Sequence, residues 1–337
     1  MTETGEPLAL EVAPRGTTAR RFTHDAMATT YGIVVLDEAA EYAASAAREA
    51  FAEIDRLEAE LSRFVPISDV SRINALAAGG TTRVGLATFE CLELADGVWR
   101  ETGGAFDVTI GPLLAWWRQQ PSAGGGPDEA ARMADPSYAR ARALASFEHV
   151  VLDRPSLSVG VCAAGMGVDL GGIGKGYAVD RALAVLREWG IGSALVHSGQ
   201  STARALAGSG AGGRGEAWAV GLRGPAGAAI ARVELGEMAL AGSGRALHGE
   251  HIIDPRTGTP AGHAERVGTW SLAPSAALAD ALSTAFMVME REAIEAYCAG
   301  HPEVGACWLE EREGGYARVE PARAHLRMPR AIRSEEH

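Results

Sequence analysis

The apolar stretch after Pro274 restricts the fold more than any other part of this sequence. It reads AALADALSTAFMVM over residues 276–289 and directly follows Ser275, a residue type that caps helices. The spacing predicts a helix over about 275–299, with small or apolar side chains on every face of its first half. A helix without a polar face has to be covered on all sides, so the chain must build further layers around it.

Three oxygen-bearing side chains interrupt this apolar helix. Asp280 and Thr284 are four residues apart, which places the carboxylate and the hydroxyl on one side of the helix, with Ser283 adjacent. A buried carboxylate is unfavourable unless a positive group meets it. Oxygen ligands on a rigid helix suit Mg²⁺ or Ca²⁺, with further ligands from main-chain carbonyls, water or phosphate. The alternative is a hydrogen bond between Asp280 and an arginine that is distant in sequence.

The composition predicts a folded, acidic protein of about two lobes. Of the 337 residues, 47% are hydrophobic and 22% are charged, which excludes a disordered chain, a coiled coil and collagen. The 31 basic and 43 acidic side chains give a net charge of -12, so we expect no nucleic-acid partner. We find neither a signal-peptide pattern nor an apolar run of the roughly 18 to 20 residues that a membrane span needs. We therefore expect a cytoplasmic protein without a membrane span.

Clusters of strand patterns alternate with helical patterns along the chain. This order favours an α+β fold with mixed or antiparallel sheets and packed helices over a doubly wound parallel sheet. By composition, 1–20 is predicted to be a flexible lead, 21–320 one unit of two lobes, and 321–337 a charged tail. The predicted helices are 37–62, 87–101 and 176–189, the predicted strands are 149–153, 193–199, 217–223 and 231–236, and 118–136 is predicted to be an insertion loop.

A glycine-rich segment, Asp169-Leu-Gly-Gly-Ile-Gly-Lys-Gly176, follows a strand pattern and precedes a helical one. It is not a Walker A motif, because Asp169 stands where that motif has its first glycine and Gly176 where it has a Ser or Thr. The main-chain N–H groups of such a segment, with the start of the following helix, can approach an anion closely. Glycines that serve only close packing are the alternative.

Two further segments contain candidate polar residues. Asp254-Pro-Arg-Thr-Gly258 has the residue types of a turn, and His251 before it is a candidate acid, base or phosphate donor, with a core histidine as the alternative. A zinc site at His248 and His251 is disfavoured, because HIID has the pattern of a strand, on which residues three apart point to opposite faces. In the glycine-containing segment 102–113, Asp107 can accept hydrogen bonds from a ribose or a heterocycle.

Together, and in this order, the motifs resemble those of the ApbE family, the FAD:protein FMN transferases, over about Met27 to Val319. Three positions depart from the family pattern: Phe64 stands where relatives often carry Tyr, Gly174 where many carry Ala, and His197–Ser201 where many read Asn, Gly-Gly and Asp. The matching pieces are Met27-Ala-Thr-Thr30, Leu61-Ser-Arg-Phe64, Ser68-Asp-Val-Ser-Arg-Ile-Asn74, Gly103-Gly-Ala-Phe-Asp107, Gly111-Pro-Leu, Val168 to Asp180, His251 to Gly258 and Ala273 to Thr284.

The resemblance implies a two-lobed α+β fold that binds FAD, with a divalent cation, usually Mg²⁺, on the pyrophosphate of FAD. The implied metal ligands are Asp280, Thr284, Ser283 and the main-chain carbonyl of Gly174. The implied FAD contacts are Met27, Phe64, Ala105, Phe106, Asp107, Gly171 and Tyr177, with His251 near the phosphates.

The activity implied by the resemblance is transfer of FMN from FAD to a Thr or Ser of an acceptor protein, with release of AMP. Lys175 and the amides of the glycine-rich segment are candidates to hold phosphate oxygens. His251 and Asp254 are the two candidates to take the proton of the acceptor hydroxyl, and the sequence does not choose between them. The alternatives are hydrolysis of FAD to FMN and AMP, and a flavin-binding protein with impaired catalysis.

Overall fold

The computed structural model describes residues 8–10, 18–120, 133–206, 218–224, 229–244, 252–261, 265–312 and 315–320. The chain divides into two compact units. The first comprises Met1–Glu58, Ile173–Gly249 and His263–His337, and the second comprises Ala59–Gly172 and Glu250–Gly262. Over the described ranges, no helix combines the length and the apolar character needed to cross a membrane.

The described residues form fourteen strands and eight α-helices. The strands are β1 Leu8–Leu10, β2 Ala19–Ala26, β3 Thr29–Leu36, β4 Thr81–Arg83, β5 Val150–Asp153, β6 Ser158–Val161, β7 Ala194–Ser198, β8 Thr202–Leu206, β9 Trp218–Arg223, β10 Ala229–Leu235, β11 Ala239–Gly244, β12 Arg266–Ala273, β13 Gly305–Arg312 and β14 Gly315–Val319. The helices are α1 Ala40–Leu61, α2 Asp69–Asn74, α3 Leu86–Glu101, α4 Gly111–Arg118, α5 Pro136–Leu144, α6 Gly174–Glu188, α7 Ala276–Val288 and α8 Arg291–Gly300.

The first unit is built on an eight-stranded antiparallel sheet in the order β14-β13-β12-β11-β8-β7-β3-β2. A three-stranded sheet, β1-β9-β10, shares a hydrophobic core with one face of it. Helices α6 and α7 pack on the other face. Strand β12 shows the alternation that this requires, because Trp270 and Leu272 enter the shared core while Thr269 and Ser271 face α7.

The second unit contains a small antiparallel sheet in the order β4-β6-β5 and the short helices α2 to α5. Trp116 of α4 packs edge-on against Tyr138 of α5, with ring centroids 5.0 Å apart. Leu113, Ala141 and Ile253 complete this buried cluster. The cluster brings the segment after Ile253, which contains the Asp254–Gly258 turn, into contact with α4 and α5.

The α+β fold with antiparallel sheets is confirmed, as are the helices predicted at 37–62, 87–101 and 176–189, which correspond to α1, α3 and α6. All four predicted strands are present as β5, β7, β9 and β10. Within the predicted flexible lead, Leu8–Leu10 pair with β9 and Ala19 and Arg20 begin β2. Most of 118–136 and all of 321–337 lie outside the described residues.

The single helix predicted over 275–299 is wrong, because two helices, α7 and α8, occupy this range. Met289 and Glu290 between them have extended backbone conformations, with ψ of 144° and 153°. The buried Arg266 side chain donates to the carbonyl oxygens of Phe286 and Met289, each at 2.6 Å. These carbonyls lack a partner within the helix, so the guanidinium stabilises the end of α7 at that point. The strand pattern HIID is also wrong, since Ile253 makes only an isolated bridge with Pro260.

Candidate active site

Helices α6 and α7 exchange hydrogen bonds at their first turns. The Gly176 N–H donates to Oδ2 of Asp280 at 3.2 Å, and Asp180 accepts from the N–H groups of Ala276 at 2.8 Å and Ala277 at 2.9 Å. Each helix therefore supplies one aspartate to the N-terminal turn of the other. Anionic side chains stabilise a helix N-terminus because its first N–H groups have no partner within the helix.

A glycine permits this close approach. A Cβ added at Gly176 would lie 2.2 Å from the carbonyl oxygen of Ala276, well inside van der Waals contact. The packing alternative for the glycine-rich segment therefore holds for Gly176. It also has a consequence for the site, since the approach that Gly176 allows brings its N–H to Asp280.

Hydroxyl groups on the sheet hold α7 in place. Ser271 donates to the Ala279 carbonyl at 2.5 Å, and Thr269 donates to the Ser283 carbonyl at 2.6 Å. Thr202 of β8 donates to Oδ1 of Asp280 at 3.3 Å. Because these bonds come from two strands, β12 and β8, they fix both the axial position and the rotation of the helix.

The three side chains that the sequence singled out on α7 are close together. Ser283 and Thr284 both donate to the Asp280 carbonyl, at 2.9 and 3.2 Å, and the Ser243 hydroxyl contacts both, at 2.8 and 3.3 Å. Asp280 is only 4% exposed, and within the described ranges no basic side chain pairs with it. The arginine alternative is thus not realised there.

A carboxylate and two hydroxyls on one buried helix turn form a set of hard oxygen donors that fits Mg²⁺. The carboxylate is buried without a described cationic partner, and a bound cation would supply the missing positive charge. In the described part of the chain, no cluster of three or more His, Cys, Asp or Glu side chains is placed to hold a metal. A cation here would therefore also need hydroxyl and carbonyl oxygens.

The other candidate residues of α6 lie at its start. Gly174 is the first residue of the helix and is buried, Lys175 follows it half-buried, and Tyr177 is 9% exposed. The N-cap residue, Ile173, provides no side-chain hydrogen bond to the first turn. An anion near this turn would meet main-chain N–H groups rather than a capping side chain.

The turn between β2 and β3 is strained. Met27 and Ala28 have φ values of 49° and 58°, in the left-handed region that non-glycine residues avoid. The Tyr31 hydroxyl donates to the Met27 sulfur at 3.1 Å, and Tyr31 is fully buried. Burial, together with the nearby carboxylates of Asp280 and Glu58, raises the pKa of Tyr31, so it stays protonated. Strain of this kind is frequent at ligand-binding sites.

The segment that departs from the family pattern, His197–Ser201, forms the turn between β7 and β8. His197 Nδ1 contacts the Gly199 carbonyl at 2.7 Å. Its ring covers Gly32 on the neighbouring strand, where an added Cβ would lie 1.9 Å from Nε2. Burial lowers the pKa of His197, which the bond to Gly199 opposes.

In the second unit, Phe64 is 77% exposed. The Arg63 guanidinium lies 4.3 Å from its ring centroid and pairs with Asp169 at 3.0 Å. Asp169 also accepts from the Gly171 N–H at 2.9 Å. Phe64 and the start of the glycine-rich segment are therefore linked through Arg63. An exposed aromatic ring fixed in this way is available to stack on a planar ligand.

Asn74 anchors Val168, just before the glycine-rich segment, where the structure has no strand and the predicted strand pattern is therefore wrong. Its side-chain amide bonds to both main-chain groups of Val168, at 2.7 and 2.9 Å. Asn74 belongs to a motif that resembles the family, but this role was not predicted from the sequence. The sequence also did not predict a role for four other residues near the site: Asp180, Arg204, Thr202 and Ser243. For Asp180 a signal was available, because it follows Gly176 by four residues and so shares its helix face.

Ala105, Phe106 and Asp107 are buried. One Asp107 oxygen accepts from the N–H and hydroxyl of Thr109, at 2.7 and 2.6 Å, and the other from the Phe147 N–H at 3.0 Å. Burial raises the pKa of Asp107, while these hydrogen bonds oppose the rise. The Asp107 carboxylate therefore holds its own turn and ties it to the main chain at Phe147.

Asp254 lies in the turn that the sequence predicted. The Gly258 N–H donates to the Asp254 carbonyl at 2.8 Å, and Gly258 has a φ of 79°. Both Asp254 carboxylate oxygens accept from the Arg256 guanidinium, at 2.8 to 3.3 Å. Both oxygens of the Asp254 carboxylate are therefore occupied by its own turn. His251 lies outside the described residues.

The ApbE family model matches residues 27–308, and the chain belongs to the ApbE family. It is 29% identical over 277 residues to the FAD:protein FMN transferase of Klebsiella pneumoniae (strain 342), covering 77% of this chain and 75% of that protein. It is 31% identical over 287 residues to the FAD:protein FMN transferase of Treponema pallidum (strain Nichols), covering 79% of this chain and 77% of that protein.

A solved structure, the flavin transferase ApbE from Vibrio cholerae, has the same fold. Its TM-score to this chain is 0.76 at 24% sequence identity, covering 91% of this chain and 98% of that one.

Proposed function

We propose that this protein is a magnesium-dependent FAD:protein FMN transferase, which transfers FMN from FAD to a Thr or Ser of an acceptor protein and releases AMP. The names of its relatives support the reaction. The observation that carries the metal requirement is the buried Asp280 carboxylate, which shares one helix turn with two hydroxyls and has no described cationic partner.

In this reaction the acceptor hydroxyl oxygen attacks the phosphorus on the FMN side of the diphosphate. The bond from that phosphorus to the bridging oxygen breaks, the bridging oxygen leaves with AMP, and the hydroxyl proton passes to a base. Catalysis depends mainly on positioning and charge neutralisation. When bound, Mg²⁺ supplies neutralisation of the diphosphate charge.

We assign the cation to the side chains of Asp280, Ser283 and Thr284 and to the carbonyl of Gly174. Lys175 and the main-chain amides at the start of α6 hold phosphate oxygens, because a helix N-terminus with a neighbouring lysine attracts anions.

Between the two candidate bases, His251 is favoured, because both Asp254 oxygens are bound by Arg256. A neutral imidazole can take the proton of the acceptor hydroxyl near neutral pH.

We assign FAD binding to Met27, Phe64, Gly171, Tyr177 and the segment Ala105 to Asp107. The exposed Phe64 ring is suited to stacking on a flat ring system. Within Ala105 to Asp107, main-chain groups are the more suitable contacts, since the Asp107 carboxylate already accepts three hydrogen bonds.

The test is one incubation of the full-length protein with FAD, Mg²⁺ and a Thr-containing acceptor protein, with and without a chelator. We expect AMP release and a fluorescent acceptor band on a denaturing gel, both abolished by the chelator. Free FMN without a labelled acceptor would indicate hydrolysis instead, and tight FAD binding without AMP would indicate a flavin-binding protein. The cytoplasmic location stays a prediction, which cell fractionation tests.

A further inference from the structure

We propose that Asp180 is a positioning residue for the metal site, which holds the helix that carries Asp280 and Thr284 against the helix that begins at Gly174. The inference rests on the proposed function, because the proposed function assigns the metal to Asp280, Thr284 and Gly174. It adds a residue that does not touch the metal and whose carboxylate determines where the metal-binding side chains lie.

The Asp180 carboxylate contacts three hydrogen-bond donors. One carboxylate oxygen accepts from the Ala276 N–H at 2.8 Å and from Nη1 of Arg204 at 2.5 Å, and the other accepts from the Ala277 N–H at 2.9 Å. The side chains of Asp180 and Arg204 are 14% and 19% exposed. One half-buried carboxylate thus joins α6, the start of α7 and strand β8.

The two interhelical contacts lie one helical turn apart. Asp180 follows Gly176 by four residues on α6, and Asp280 follows Ala276 by four residues on α7. The contact of Asp180 with Ala276 therefore lies about one helical turn, roughly 5 to 6 Å, from the contact of Gly176 with Asp280. Because α7 is a rigid helix, a shift at its first residue is transmitted to Asp280.

The position of Asp180 requires a side chain that only accepts hydrogen bonds. All three groups that face Asp180 are donors: two main-chain N–H groups and a guanidinium. A carboxylate only accepts hydrogen bonds, so it can satisfy all of them, whereas the amide of an asparagine would direct its own N–H toward one donor. Mg²⁺ tolerates little distortion of its ligands, so a small shift of α7 reduces metal affinity.

The experiment compares Asp180→Asn with Ser275→Ala in the full-length protein. Ser275 caps the same helix by accepting from the Leu278 N–H at 3.2 Å, but it makes no described bond to α6. Its replacement weakens the start of α7 without breaking the link between the helices. Mn²⁺ is titrated with FAD present and no acceptor, and free Mn²⁺ is measured by electron paramagnetic resonance.

We expect Asp180→Asn to raise the Mn²⁺ dissociation constant about 10- to 100-fold, the range found when a group that orients a metal ligand is lost. Ser275→Ala is expected to change it by less than about twofold. In Asp180→Asn, the Mg²⁺ concentration for half-maximal AMP release should rise by a similar factor while the maximal rate recovers at high Mg²⁺. A merely destabilised variant would not recover in this way.

Equal Mn²⁺ affinity in Asp180→Asn and Ser275→Ala would overturn the inference while leaving the proposed function intact. Absence of Mn²⁺ binding by the wild-type protein would overturn both the metal assignment and the inference. Should circular dichroism show that Asp180→Asn is unfolded, Arg204→Gln replaces it. Arg204→Gln removes the charge that holds the Asp180 carboxylate. Its Mn²⁺ affinity is compared with that of Ser275→Ala in the same way, and equal affinity would overturn the inference.

Discussion

Asp180 and Asp280 each bond to the first turn of the helix that carries the other. The partners of each bond are about a hundred residues apart in the chain, with separations of 96, 97 and 104. The two aspartates differ in what else they meet. The Asp180 carboxylate pairs with Arg204, whereas within the described residues the Asp280 carboxylate meets only the Thr202 hydroxyl and the Gly176 N–H. The first carboxylate is neutralised by an arginine of the protein, and the second is the one that we propose for the metal cation.

Replacement of Asp280 tests this difference. Asp280→Ala removes the carboxylate that we assign to Mg²⁺, and we expect Mg²⁺-dependent AMP release from FAD to fall by at least about a hundredfold. The measurement is AMP released over a series of Mg²⁺ concentrations. Ser271→Ala is the control, because it removes a bond to the same helix at Ala279 without touching a proposed ligand. Undiminished turnover in Asp280→Ala would show that the metal is held elsewhere.

The close packing of α6 on α7 makes Gly176 intolerant of any side chain. We expect Gly176→Ala to reduce the free energy of unfolding by roughly 2 to 3 kcal/mol, since the Ala276 backbone cannot yield to a Cβ only 2.2 Å away. Gly97→Ala is the matched control in helix α3, where an added Cβ meets nothing within 4 Å. There, the gain in helix propensity should stabilise the protein by about 0.5 to 1 kcal/mol. Urea unfolding of both variants provides the comparison, and equal effects would contradict the packing argument.

Local pattern was sufficient to predict much of this fold. The amphipathic spacing in α1 and the glycines that end α3 are local signals, and the structure confirms both helices. The grouping of Asp280, Ser283 and Thr284 also follows from helical periodicity alone. These features depend on residues within a few positions of one another.

The remaining features depend on contacts that leave no local signal. Arg266 ends α7 from a strand 20 residues earlier in the chain, so the periodic pattern continues through Met289 although the helix does not. The role of Asp180 depends on Ala276, which is 96 residues away. The pairing of Asp254 with Arg256 is local, yet a turn sequence alone does not indicate whether the carboxylate faces a ligand or its own guanidinium.

Phe64 offers a test of flavin binding that is separate from stability. With 77% of its surface exposed, its removal costs little packing, so Phe64→Ala should change the free energy of unfolding by less than about 0.5 kcal/mol. Loss of ring stacking should raise the KM for FAD by roughly three- to tenfold. Phe64→Tyr keeps an aromatic ring, so its KM for FAD should stay at the wild-type value. Ile67→Ala is the control, because Ile67 lies in the same loop and is 85% exposed. An equal rise of KM in Ile67→Ala would attribute the effect to the loop rather than to the ring.

We expect the buried His197 to make the stability of the protein depend on pH. Burial lowers the pKa of His197 in the folded state, so the unfolded state, with a histidine pKa near 6.5, binds the proton more readily. The contribution of neutral His197 to the free energy of unfolding is therefore fully present above the unfolded-state pKa near 6.5. It is lost as the pH falls from there toward the lower pKa that His197 has in the folded state. In urea unfolding between about pH 8 and pH 5, the wild type should lose more stability than His197→Asn. An NMR titration of the His197 ring should show the midpoint below 6.5, and equal losses of stability in both proteins would contradict the prediction.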